Sequence, residues 1–482
     1  MPGGLRWQRY RMDAPLKGGR ATMYAVFNRP FGKAAATVKD PGILLSFRDW
    51  PELVSLSSEG RVRWRRPLDA PVRDLAMTGG DGAVFAALEG GAIVFVAPDG
   101  KPSWKYRAGG EVAALAASEK GGCAAACDDR GGLLLLGADG KPVFESSLPA
   151  PAAMLRVSQD GSAVVCADTA GGVSLVSRDG KVLWRKLYGE GVTDMATTGG
   201  CTKTVVLSGK VHGISLDGSE RWSAEAPAGC TAVRISEDGA DAYAISPQKI
   251  LRFGASGKKM WEKDIRSRPQ AAAVLGGMKM LLLPSMDGTG LMDRWGNPAL
   301  DCPLAAGRGS GVCFAFFDGS RSIFHVRDDG SSTHILFSDV GPALVDYMLR
   351  AARLFGDECI RIGQPSPFGD NHYLDATGAA RSGDYARAME NARFSYRYYE
   401  ETLGSIQHDT ESIANPESLA AVKISVRGQL EAPLAKRPRL YQAKCPCGAI
   451  NDVFTPDVPL LVRCGFCGKT GLVNAAPLGK GV

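Results

Sequence analysis

Between residues 71 and 107 the apolar positions fall into short runs: Val72-Arg-Asp-Leu-Ala-Met, Ala83-Val-Phe-Ala-Ala-Leu, Ala92-Ile-Val-Phe-Val-Ala and Pro102-Ser-Trp-Lys-Tyr. Glycine- and aspartate-rich turns separate them. Runs this short, alternating or rich in β-formers, predict four antiparallel strands, and Asp99-Gly100 predicts a tight hairpin because its central residues need positive φ. The unit then recurs. A turn pair ending in glycine is followed four residues later by a large apolar residue at Glu59-Gly60 to Trp64, Asp99-Gly100 to Trp104, Asp139-Gly140 to Phe144 and Asp179-Gly180 to Trp184. It continues at Asp217-Gly218 to Trp222, Ser256-Gly257 to Trp261 and Trp295-Gly296 to Leu300, with intervals of 40, 40, 40, 38, 39 and 39 residues.

Four short strands per repeat predict a propeller blade, which cannot bury both faces alone and must stack on neighbours. An α-solenoid would need amphipathic helical periods and a β-helix a much shorter repeat. The fold class expected is therefore mainly β. Seven units run from about Lys33 to Pro303, with Ala35–Lys39 as the first strand of the first. An eighth, at Val312-Cys-Phe-Ala-Phe-Phe, Ser322-Ile-Phe-His-Val and His334-Ile-Leu-Phe, is one strand short. The run Ala21–Phe27 would supply that strand and close the ring, so eight blades are expected, with seven as the alternative.

The Asp-Gly-Lys-x-x-Trp unit, as in Asp179-Gly180-Lys181-Val182-Leu183-Trp184, resembles the repeat of the quinoprotein-like (PQQ-like) propeller family, which also has WD40-like relatives in architecture. The resemblance covers about residues 33–338. It implies the fold more than an activity, because the repeat serves dehydrogenases and non-catalytic scaffolds alike. The dehydrogenases of that family are exported, hold a quinone with calcium at the propeller mouth, and often carry a disulfide between adjacent cysteines. This sequence has no adjacent cysteines and no apolar run after its first arginines, so no cofactor site is carried over to it.

After residue 340 the period changes. Gly341-Pro342 opens a run with Leu344, Tyr347, Met348, Ala351 and Phe355 at helical spacing. A Pro-, Gly- and Asp-rich stretch over 363–378 reads as a loop, Ser382 to Leu403 as a second helix, and Pro416 to Leu430 as a third. The stripe Tyr385, Met389, Phe394, Tyr396, Tyr398 and Tyr399 reads as the core of a small helical hairpin in preference to a partner groove.

At the carboxyl end, Cys445-Pro-Cys447-Gly and Cys464-Gly-Phe-Cys467-Gly are two cysteine pairs separated by 16 residues. Thiolates on two glycine-trailed knuckles suit one tetrahedral Zn²⁺, and Cys445, Cys447, Cys464 and Cys467 are the expected metal ligands. Four thiolates leave no open coordination position, so the zinc is expected to be structural. The first knuckle is one residue shorter than usual. The other eight cysteines are scattered among small and apolar residues, as buried free thiols are, which points to the cytoplasm.

Charge adds one feature. Of the net +6, residues 1–42 contribute all, with 8 basic and 2 acidic side chains. That excludes a broadly basic nucleic-acid coat and leaves Arg6, Arg9 and Arg11, with Lys436, Arg437 and Arg439 near the ribbon, as candidate nucleic-acid contacts. Five dispersed histidines, with no His-x-x-x-His pair or Gly-x-Ser-x-Gly elbow, offer no catalytic constellation. The expected organisation is a basic arm (1–20), a propeller (21–340), a helical connector (341–435) and a zinc ribbon (436–482). The expected function is a non-enzymatic scaffold or adaptor docking proteins on the propeller faces and connector. A nucleic-acid-associated factor and a quinoprotein-type oxidoreductase are the alternatives.

Overall fold

The computed structural model describes residues 7–16, 19–27, 31–37, 42–57, 61–78, 82–265, 269, 272–275, 280–284, 289–302, 312–316, 322–326, 331–406, 409–410, 413, 422–423, 439–444, 450–455, 460–463 and 470–473. Each forty-residue unit folds as an antiparallel meander. Four-stranded sheets occupy 31–67, 72–107, 112–147, 152–187, 194–225 and 232–264. Two further sheets have five strands. One covers 273–302 and gains Val422–Lys423 as a parallel edge strand beside Leu300 and Asp301. In the other, Val312–Phe316, Ser322–Val326 and Ser331–Leu336 are followed in space by Gly19–Phe27 and then Trp7–Leu16. The strand expected at 21–27 to complete the last unit therefore lies where that reading places it, paired as Met23 to His334 and Val26 to Ser331.

The first strand of each sheet touches the first strand of the next, and Val312–Phe316 touches Phe31–Thr37, so the sheets form a closed ring. Middle strands such as Cys123–Asp128 and Ala163–Asp168 are buried throughout, whereas outer strands such as Pro102–Arg107 alternate. This is the burial expected of stacked sheets that bury both faces.

The repeated tryptophan joins neighbouring sheets. Trp64 Nε1 donates to Pro98 O (2.9 Å), Trp104 to Ala138 O (2.7 Å), Trp184 to Leu216 O (2.9 Å) and Trp261 to Arg294 O (2.6 Å), each reaching the turn of the following unit. Each indole thus buries its face while its N–H finds a partner. The turn glycine under the ring is required twice over. Gly100 has φ +83°, and a Cβ on it would stand 2.6 Å from Cδ2 of Trp64. Gly100→Ala is expected to lower stability by about 1–3 kcal/mol; an unchanged midpoint in urea would refute this clasp.

Three helices follow: α1 (Phe337–Arg361), α2 (Pro367–Arg381) and α3 (Tyr385–Ser405). Helix α1 starts directly after the last strand, so Pro342 lies inside its second turn and not at its opening. The loop expected over 363–378 is largely α2. Pro367 stands in its first turn, where its missing N–H costs nothing, and its glycine serves packing. Tyr399 of α3 lies against Gly356 of α1 and Gly369 of α2, where Cβ atoms would stand 2.8 and 2.6 Å from its ring, and its hydroxyl donates to Asp370 Oδ1 (2.6 Å). Asp384 caps α3, accepting from the Arg387 N–H (3.2 Å). Of the helix expected over 416–430, only Val422 and Lys423 lie among the described residues, and they form the edge strand named above. Of the stretch assigned to a basic arm, Trp7–Leu16 is a strand paired along its length, with one irregularity between Met12 and Pro15. No helix among the described residues is long and apolar enough to cross a membrane.

Candidate partner-binding surfaces

First strands of neighbouring sheets do not pair with one another, so each carries an edge of unmatched backbone groups. Charged side chains bridge these edges. Asp74 Oδ2 accepts from the Leu115 N–H (3.0 Å), and Asp194 Oδ2 accepts from the Val233 N–H (3.0 Å) and from Arg234 Nη1 (2.7 Å). In the opposite sense, Arg156 Nη2 donates to Met195 O (3.3 Å) and Arg234 Nε to Ala272 O (2.7 Å). Lys33 Nζ lies 3.4 Å from Asp74 Oδ1.

Within this lining Arg156 differs. It makes backbone contacts to Leu155 O and Met195 O, yet among the described residues no carboxylate lies within 4 Å of it. The side chain is solvent-exposed but crowded by protein, and that loss of hydration pulls its pKa below the usual arginine range, with Asp194 acting against the shift and Arg234 with it. An arginine so far above neutrality remains charged. Arg156 thus offers a guanidinium with no carboxylate in direct contact among the described residues, suited to a partner's carboxylate. These residues escaped the sequence reading, although a signal exists. In the forty-residue frame Asp74 and Asp194 share one position, and Arg156 and Arg234 share the position two residues on.

The helices are fastened to the ring by a buried network at the 232–302 sheets. Arg252 Nη2 lies 2.6 Å from Asp241 Oδ1, both about 1% exposed, and Arg294 Nη2 stands 3.8 Å from the same oxygen. Arg294 Nη1 also bonds Glu400 of α3. The Asp293 carboxylate accepts from the Tyr347 hydroxyl of α1 and from the Trp295 and Asn297 amides. Burial raises the pKa of Asp293 and, with the neighbouring carboxylate, pushes Tyr347 far above the usual phenol range. Around this network Leu282, Leu291 and Trp295 share one core with Tyr347, Phe355 and Tyr396. The segment expected as a connector is therefore packed onto the ring.

Within the aromatic stripe, Met389, Tyr396 and Tyr399 are buried and Tyr385 packs against them, as a helical core requires. Phe394 is half-exposed, and it lies with Tyr398, His372 and Phe368 in an outward aromatic group in which His372 stacks on Tyr398 at 5.5 Å.

Cys445, Cys447, Cys464 and Cys467 lie outside the described residues, as do Arg6, Lys436 and Arg437. Arg9 and Arg11 fall in the strand Trp7–Leu16, opposite Ala25 and Met23, and Arg439 pairs with Thr455. No group of three or more metal-ligating side chains occurs among the described residues. The six cysteines described with side chains are unpaired.

A closed ring of antiparallel meanders, four of them fastened to the next by a tryptophan clasp, defines a β-propeller. The family model for "Outer membrane protein assembly factor BamB" matches residues 3–151 and 110–278, more than half of the sequence, and the chain belongs to that PQQ-like repeat family. No protein of curated function matches the chain in sequence. Among solved structures, BamB from Moraxella catarrhalis is 12% identical with a TM-score of 0.50, covering 69% of this chain and all of that one. Chaetomium thermophilum Sqt1, bound to the N-terminus of the ribosomal protein L10, is 13% identical with a TM-score of 0.55, covering 64% of this chain and 97% of that one. Saccharomyces cerevisiae Sqt1 is 10% identical with a TM-score of 0.54 over 64% and 96%. At these identities the likeness is one of fold.

Proposed function

We propose that the chain is a non-catalytic scaffold whose propeller, of eight blades, docks protein partners. The sheets that succeed one another around the ring, the last including Gly19–Phe27, support the count of eight over seven. The observation that carries the scaffold reading is Arg156: a cation on the inner strands, held by backbone carbonyls, with no carboxylate within 4 Å among the described residues. It suits an acidic segment of a partner. The likeness to a propeller solved with the N-terminus of another protein supports peptide docking as a use of this fold. Affinity capture of the intact protein from its native source is expected to retain a partner that Arg156→Glu loses roughly tenfold, as removal of one charge-assisted contact does. Retention unchanged by the reversal in a folded variant would refute docking at Arg156.

A structural zinc ribbon would supply the second module. Lys444 pairs with Ile450 and Arg463 with Thr470, so each cysteine pair falls in sequence between two paired strands. Thiolates from two hairpins match the all-sulfur donor set of a closed tetrahedral site, and the zinc would fix the fold of residues 436–482. About one zinc per chain is expected by elemental analysis of protein purified without chelator, with Cys464→Ser and Cys467→Ser each losing most of it. Metal content equal to wild type would dismiss the ribbon. A reducing compartment, the cytoplasm, agrees with the unpaired thiols; burial raises the pKa of Cys166 to about 12 and of Cys359 to about 11.

A further inference from the structure

Among the seams that carry the tryptophan, one departs from the rest. Between the sheets at 194–225 and 232–264, Trp222 still packs over its turn glycine, Gly257, where a Cβ would stand 2.5 Å from the ring. By analogy with the other clasps, its N–H would donate to Ala255 O. Among the described residues neither Trp222 Nε1 nor Ala255 O has a hydrogen-bond partner. The cause lies on the strand beside it. Directly opposite Trp222 is Gly213, at the position where other units place Ser55, Phe95, Leu135, Leu175 and Arg252. A Cβ on Gly213 would come within 2.2 Å of Cε2 and 2.3 Å of Nε1 of the indole, so only glycine lets the ring lie in this place.

With the indole drawn into its own blade, a cleft of about 150 Å³ opens at the seam. Its chemistry is specific. Trp222 and Ala255, whose indole N–H and carbonyl oxygen are left without partners among the described residues, both belong to its lining, and Phe253 stacks on the indole at 5.8 Å. Two cations stand at the lining. Lys203 Nζ donates to Gly239 O (3.1 Å) and has no carboxylate within 4 Å among the described residues; Arg221 donates to Ser215 Oγ (3.0 Å) and pairs with Asp217 at 3.5 Å.

We propose that this seam is a binding site for an aromatic ring carrying a carboxylate, the ring lying against Trp222 and the carboxylate meeting Lys203 and Arg221. A free aromatic acid and the C-terminal aromatic residue of a peptide share this chemistry. The site is separate from the inner-strand surface at Arg156 and does not rest on it. Concave sites with an apolar lining and a few polar groups are the usual form of a small-ligand pocket.

Titration calorimetry on the full chain tests the proposal with indole-3-acetate, with acetyl-Gly-Gly-Phe bearing a free carboxylate, and with the amide of that peptide. At least one of the two acids is expected to bind with a Kd on the order of 0.1–1 mM, as a ligand of about a dozen heavy atoms achieves, and the amide at least about tenfold more weakly. Binding of indole-3-acetate alone identifies a free acid as the source, and binding of the peptide identifies a chain terminus. Gly213→Leu restores the bulk found in other units, turns Trp222 out toward Ala255 O, and is expected to abolish binding. The pair Lys203→Glu with Arg221→Glu changes two exposed side chains and leaves the core untouched; it is expected to cost at least about tenfold for the acid and to leave any binding of uncharged indole unchanged. This pair decides the matter if Gly213→Leu does not fold. No heat with either acid, or binding insensitive to the variants, would overturn the site.

Discussion

A chain lacking residues 1–30 is expected to lose its monomeric ring, eluting as aggregates or melting on the order of 10 °C lower than the full chain. The deletion removes Trp7–Leu16 and Gly19–Phe27, the two outer strands of the closing sheet. The sheet that remains, Val312–Phe316, Ser322–Val326 and Ser331–Leu336, then has an open edge at Ser331–Leu336, where backbone donors and acceptors stand ready to pair with another copy. Supplying residues 1–30 as a separate peptide should restore the monomer in part, because the pairing is between strands and does not require chain continuity. Size-exclusion chromatography and a thermal melt decide it; a monomer with an unchanged melting temperature would mean that the ring does not depend on this closure.

Replacing Arg252 by alanine is expected to lower stability by about 3–5 kcal/mol, the range for breaking one partner of a buried ion pair. Asp241 would be left buried, with Arg294 at 3.8 Å as its remaining cation among the described residues. Removing both charges together, as Asp241→Leu with Arg252→Met, is expected to recover most of the loss, because two apolar side chains avoid the desolvation that the pair must overcome. The double variant also separates stability from attachment. Without Asp241, Arg294 keeps its contact to Glu400 of α3, so the helices should stay docked. Urea unfolding followed by circular dichroism measures the first effect, and protease resistance of residues 337–405 measures the second. Equal stability of Arg252→Ala and wild type would show that water already reaches this pair.

The repeat was legible because every unit solves the same problem. A strand, turn and clasp must recur at a fixed interval for sheets to stack, so Trp64, Trp104, Trp184 and Trp261 announce the ring in the order of residues alone. The closing strand was legible for a related reason, since a unit one strand short needs its complement elsewhere. Helix α2 was hidden by composition. Gly369 and Pro367 look like loop residues until Tyr399 is seen to need a surface without Cβ atoms. The edge strand Val422–Lys423 was hidden because two residues carry no period, and only the parallel register with Leu300 and Asp301 defines them. Arg156 was overlooked as one arginine among many. Its significance lies in what stands across the gap from it, and the forty-residue frame could have revealed that only by comparing units position by position.

The closure of the ring also bears on how the chain comes to be folded. Val26 finds its partner, Ser331, roughly three hundred residues later in the chain. During synthesis the hairpin of Trp7–Leu16 with Gly19–Phe27 can form at once, since its strands are adjacent in sequence. Its second edge must then wait while every intervening sheet is made and stacked. For that interval the protein is an open arc with a free strand edge at its beginning, a state vulnerable to pairing with a neighbouring chain on the same message. The last sheet converts the arc to a ring, and α1, which starts directly after Ser331–Leu336, follows it out. The helices that pack over the 273–302 sheet therefore arrive only after the strand that closes the ring.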